Sequence, residues 1–141
     1  MSNVKTMLAM LALGTTVAFT GPAFAEKMKA TLDGKSEVPA NTSAGKGTAD
    51  IDYDAATKKL SWKLTYSGLS GPATAAHFHG PADAKTNAGV VVPAKDAANP
   101  IKGEATLTDA QAADLQAGKW YYNVHTEKNK GGEIRGQVMK K

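Results

Sequence analysis

Residues 46–66 read KGTADIDYDAATKKLSWKLTY, two alternating runs separated by a short polar turn. In the first run Ala49, Ile51 and Tyr53 occupy every second position, and in the second Leu60, Trp62, Leu64 and Tyr66 do the same. Successive side chains of a strand point to opposite faces, so this period sends one apolar row into a core and one polar row away from it. Asp54-Ala55-Ala56-Thr57 supplies the reversal, because an Asp side chain readily bonds the backbone just ahead of it. The segment predicts a β-hairpin.

Working outward, the same reading extends over most of the chain. Residues 27–33 alternate through Met28, Ala30 and Leu32, and further strands are predicted over 73–79, 90–92, 101–107, 119–126 and 131–139. Gly, Pro, Asn and Asp clusters separate them. Three consecutive valines, Val90 to Val92, suit a short strand buried on both faces. One helix is predicted over 109–117, with Thr108 as its cap, Gln111 completing a capping box and Gly118 ending it. Many short strands with a single helix indicate an all-β fold, a Greek-key-like antiparallel β-sandwich with one short helix near 109–117.

The N-terminal 25 residues have a different character. Lys5 precedes an apolar stretch over 7–19, which breaks at Gly21-Pro22 and ends in Ala23-Phe24-Ala25. That is the pattern of a signal peptide with a small-x-small cleavage site, and the apolar run is short for a bilayer span, which takes about 20 residues. The domain then occupies residues 26–141, a length sufficient for one hydrophobic core. Periplasmic or secreted localisation is expected, with no membrane attachment once the leader is removed. The chain contains no cysteine, which excludes a disulfide framework, a thiolate metal site and a lipidated N-terminal cysteine. Loss of the leader removes one lysine and no acid, lowering the net charge from +4 to +3. The cations are interleaved with acids rather than gathered into a stripe with aromatics, so nucleic acid is not an expected partner.

The chemistry lies with the three histidines, His77, His79 and His125. His77 and His79 flank Phe78, so if Phe78 faces the core both imidazoles point away from it together. In 119–126, Trp120, Tyr122 and Val124 form the core row, leaving Tyr121, Asn123 and His125 on the other face. In 131–139, Ile134 and Val138 face inward and Glu133, Arg135 and Gln137 outward. Neighbouring strands would then place all three histidines on one outer face beneath the loop after His79. Imidazoles suit copper, zinc, nickel or iron, and copper is the first choice where no thiolate is present and oxygen is available; zinc is second. Asn123 and Glu133 are placed to orient an imidazole N–H. Arg135 is read either as a cross-strand partner of an acid or as a charge attracting a small anion to the metal. No serine elbow, carboxylate pair or phosphate-cradling glycine loop is present.

The motifs His77-Phe78-His79-Gly80-Pro81-Ala82, Gly89-Val90-Val91, Asn123-Val124-His125-Thr126 and Gly132-Glu133-Ile134-Arg135-Gly136-Gln137 resemble the CHRD domain. That domain is named for its repeats in chordin and is also found alone in exported bacterial proteins; the resemblance spans nearly all of residues 26–141 and implies an all-β fold. The chain is also more loosely similar to copper-zinc superoxide dismutases, β-sandwiches whose copper is held by histidines that include a His-x-His pair, with an arginine nearby. That likeness implies copper held by His77, His79 and His125 and superoxide guided by Arg135. The chain departs from it in having no fourth histidine, no His/Asp zinc cluster and no cysteine pair.

Three functions follow: a copper enzyme dismuting superoxide, a non-enzymatic periplasmic copper buffer or carrier, and a metal-free interaction module. The expected partners are a metal ion and, for the enzyme, a small anion. The exported chain should begin at Glu26, which N-terminal sequencing of protein recovered outside the cytoplasm will check. Recovery of a chain still carrying residues 7–19 would mean an uncleaved anchor instead.

Overall fold

The structure, a computed structural model, describes residues 24–141; the proposed leader lies almost wholly outside them. Nine strands run in the order β1 (Glu26–Asp33), β2 (Lys46–Asp54), β3 (Lys59–Ser67), β4 (Ala73–His79), β5 (Val90–Pro93), β6 (Ile101–Thr106), β7 (Tyr121–Thr126), β8 (Ile134–Gln137) and β9 (Met139–Lys140). A helix, α1 (Asp109–Gln116), connects β6 to β7. All strand pairs are antiparallel, and the sheet follows the order β5-β4-β7-β8-β1-β2-β3-β6, with β9 paired to β1.

The opening hairpin forms as its alternation requires. Tyr53 lies opposite Leu60 and Ile51 opposite Trp62, all four in the core. Asp54 closes the turn by accepting from Ala56 N–H (2.9 Å) and Thr57 N–H (3.3 Å). From β3 the chain crosses to β4 and β5 at the far end of the sheet, and β6 returns beside β3. The sheet curls over so that its two ends face each other, as in a sandwich. Trp62 of β3 meets Phe78 of β4 edge to face at 5.0 Å and donates from its indole N–H to the Tyr122 hydroxyl of β7 at 3.2 Å. Where the ends approach, a cleft of about 300 Å³ lies among Trp62, Pro93, Lys95 and Lys102 to Glu104.

The helix stands as predicted. Thr108 and Gln111 make the reciprocal capping box, Ala112 and Leu115 face the core, and Gly118 adopts φ +74° just beyond the last turn. Two expectations need correction. The valine strand is an edge, with Val90 51% exposed and only Val92 buried, because β5 ends the sheet and has solvent on one side. The final predicted strand, 131–139, is broken into β8 and β9. Val138 leaves the ladder there to bond Trp120 O at 2.9 Å. Trp120, expected within a strand, precedes β7 but is fully buried.

Phe78 packs against Trp62, Tyr122 and Trp120 at ring separations of 5.0, 4.3 and 5.6 Å. Truncation of a buried Phe to Ala typically costs about 3–5 kcal/mol, whereas loss of an exposed apolar side chain changes stability by at most about 0.5 kcal/mol. Phe78→Ala is therefore expected to lower the urea midpoint sharply and Val90→Ala hardly at all. Comparable midpoints for the two variants would contradict this packing.

Candidate metal site

Because Phe78 points into the core, His77 and His79 emerge together on the other face of β4. The register of β4 and β7 sets His77 opposite Asn123, His79 opposite Tyr121 and Ala75 opposite His125. His125 is thus a diagonal neighbour of His77, within side-chain reach in an antiparallel pair. One nitrogen from each of the three rings lies within 4.8 Å of the others. His77 Nδ1 and His125 Nε2 are 3.1 Å apart. Metal–nitrogen bonds of about 2.0–2.1 Å allow ligand atoms no more than about 4.2 Å apart. The closest pair already meets that limit, and the 4.8 Å spread of the three exceeds it only slightly.

Backbone carbonyls prepare two of the rings. His79 Nδ1 faces Ala88 O at 2.9 Å, and His125 Nδ1 faces Lys130 O at 2.8 Å. A carbonyl only accepts, so each Nδ1 carries its proton and each neutral ring offers the lone pair of Nε2. Burial, followed by the repulsion of His125 and His79, lowers the pKa of His77. Burial also lowers that of His79, reinforced by His125 and Arg135, while its bond to Ala88 O and the nearby Asn123 side chain oppose the shift. Both shifts favour the neutral, metal-binding form.

The outer face of the sheet is not an open surface. Residues 80–89 fold over it: Arg135 donates to Asp83 O (3.0 Å), Thr86 O (2.7 Å) and Asn87 Oδ1 (2.9 Å), and Gln137 donates to Ala82 O (2.9 Å). Beneath that loop, Arg135 lies over the Tyr121 ring at 3.5 Å and Tyr121 stacks on His79 at 4.8 Å with the rings nearly parallel. The expected surface site is consequently half-covered: His79 is buried, and His77 and His125 are half-exposed. Arg135, read from sequence as an anion-attracting charge, is 1% exposed and binds the loop. Its hydrogen-bond partners are two carbonyls and an amide rather than the acid expected across the strands.

Glu133 also departs from expectation. It lies on the outer face yet is closed off from solvent, and it contacts no imidazole. Its carboxylate accepts from Ser43 Oγ (2.9 Å), Ser70 N–H (2.8 Å), Thr126 Oγ1 (2.8 Å) and Asn129 Nδ2 (2.9 Å), as well as from Ser70 Oγ. It gathers three loops, one of which carries Lys130 and so the carbonyl that orients His125. Asn123, in contrast, lies among the histidines, buried and directly opposite His77. Tyr121, placed on this face by its parity with Asn123 and His125, lies against His79 as that parity requires. Glu37 also belongs to this neighbourhood and was not identified from sequence, because it lies in a loop that carries no motif.

A family model of the CHRD domain matches residues 28–138. No curated protein and no solved structure matches the chain.

Burial works against ionisation of Glu133, but the hydrogen bonds from Ser70, Thr126 and Asn129 outweigh it and hold the pKa down at about 2. In the unfolded chain a glutamate titrates near ~4.3, so this stabilisation is present above that pH and lost as pH falls from about 5 to about 2. The loss amounts to at most about 3 kcal/mol. Glu133→Gln should be less stable than wild type at pH 7 and should lose less stability across that acid window. Parallel pH–stability curves from urea titrations would contradict it.

Proposed function

The chain belongs to the CHRD domain family, and we propose that it is an exported protein whose three histidines hold one copper ion, with zinc as the second choice. The observation carrying this reading is the convergence of His77, His79 and His125 with two of the Nδ1 protons committed to backbone carbonyls. Three neutral imidazoles without a thiolate form a donor set suited to copper(II) or zinc. His77 Nδ1 and His125 Nε2 lie 3.1 Å apart, and with the single proton of neutral His77 on its Nε2 both of these nitrogens present lone pairs to the same cation. Periplasmic or secreted localisation rests on the leader in residues 1–25, whose cleavage would leave the domain free of the membrane; among the described residues no helix is long and apolar enough to cross one.

Bound copper would supply one-electron chemistry, converting one superoxide to oxygen and the next, with two protons, to hydrogen peroxide. The half-exposed His77 and His125 leave an approach for so small an anion. Arg135, however, spends its hydrogen bonds on the 80–89 loop and presents no open guanidinium to an incoming anion. That observation favours a copper buffer or carrier over a dismutase.

Equilibrium dialysis against copper(II) should give one tightly held equivalent for the wild type and a large loss of affinity for His125→Ala. Absence of uptake by the wild type would leave the interaction-module reading. Superoxide decay measured with the loaded protein then separates the other two. A rate equal to that of His125→Ala is expected of a buffer, and a faster one would establish turnover.

A further inference from the structure

Three buried polar atoms near the histidines lack hydrogen-bond partners: Glu37 Oε1, Asn123 Oδ1 and His79 Nε2. Their residues are 6%, 3% and 8% exposed. A buried acceptor without a donor is costly, so Asn123 Oδ1 and His79 Nε2, on paired strands, call for a common cause, while Glu37 Oε1 lies at the other end of the Asn123 amide. The proton on His79 Nδ1 is committed to Ala88 O, which makes Nε2 an acceptor. Asn123 Oδ1 is an acceptor as well, and the β4–β7 register makes Asn123 the diagonal neighbour of His79 on the same face. One cation between these two acceptors would satisfy both.

The orientation of the amide follows from its other neighbour. Gly132, at φ +126°, brings its Cα against both Glu37 Oε1 and Asn123 Nδ2, so that a Cβ there would collide with each. Amide nitrogen and oxygen are told apart by their partners. The Glu37 carboxyl beside Nδ2 assigns the NH₂ end to Glu37 and leaves the carbonyl end for the histidines. Strand register supports this placement. Asn123 is opposite His77, diagonal to His79 and two residues from His125 on the same face. Its position in the register is adjacent to all three.

We propose that Asn123 Oδ1 is the fourth donor of the metal centre, completing an N₃O set, and that Glu37 acts as a positioning residue fixing which end of the amide faces the metal. The inference rests on the metal reading above and adds its fourth ligand and the group that orients it. Arg135 lies close enough to Glu37 to favour its ionised form, although burial prevails and raises the Glu37 pKa to about 7. In either protonation state Glu37 retains a carbonyl-type oxygen able to accept from Nδ2.

The test measures copper(II) affinity by competition with a chelator, together with the electron paramagnetic resonance spectrum, on the full mature chain and its variants. Asn123→Leu should weaken binding about 10–100-fold, the range seen when a metal site loses a supporting group, and alter the copper hyperfine splitting. Asn123→Asp keeps an oxygen donor but adds charge, and should retain binding with a shifted spectrum. Glu37→Leu should weaken binding less than Asn123→Leu. The double variant should be no weaker than Asn123→Leu alone, as expected when one residue acts through the other. Wild-type affinity and spectrum in Asn123→Leu, with affinity lost in His125→Ala, would overturn the fourth ligand and leave the three-histidine site standing. If Asn123→Leu does not fold, an unchanged spectrum in Asn123→Asp overturns it equally. Failure of the wild type itself to bind copper would remove the metal reading and this inference together.

Discussion

The packing of Phe78 between Trp62, Trp120 and Tyr122 is the constraint on which the rest depends. A strand has only two faces, and burying that ring on one commits His77 and His79 to the other. The same constraint acts on β7, where Tyr122 and Val124 are held in the core and Asn123 and His125 must turn outward. A slip of one residue would reverse every side chain. The aromatic cluster therefore fixes the register of β4 against β7, and that register sets the spacing of the imidazoles.

On the outer face a second layer of interactions protects what the first has arranged. Residues 80–89 are drawn down by Arg135 and Gln137, whose N–H groups satisfy carbonyls that a covering loop would otherwise bury unpaired. The loop in turn returns Ala88 O to His79, and the Arg135–Tyr121–His79 column ties the ring plane of the ligand to the strap above it. On the other side Glu133 collects three loops, including the one whose Lys130 carbonyl meets His125. Neither charged residue approaches an incoming ligand. Both act by setting where backbone carbonyls lie, and the carbonyls set the tautomers.

Charge burial is tolerated here because of this division of work. Arg135 donates to three acceptors and lies over an aromatic face, and Glu133 accepts from four residues. Glu37 is the exception, with a carboxyl oxygen left unpaired beside Asn123. The other two buried charges are fully engaged, and this one alone has an oxygen without a donor.

Alternation in the sequence determined the strands, the capped helix, and which side of each central strand carries the histidines, since these depend only on period and on local turn and cap chemistry. The identities of the three histidines were legible for the same reason. The sequence placed the loop after His79 above this face, and only the tertiary structure decided how it is held down, and with it the roles of Arg135, Glu133, Tyr121 and Glu37. Parity separates core from non-core, but no local pattern tells which polar side chains of a non-core face bind the loop above and which stay open. The edge position of β5 was hidden likewise: three valines in a row read as buried until the order of strands leaves one of them facing solvent. Contacts between residues some 50 to 90 positions apart, such as Arg135 with Thr86 and Glu133 with Ser43, follow from chain path rather than composition, so they become visible only once the sheet has closed over its core.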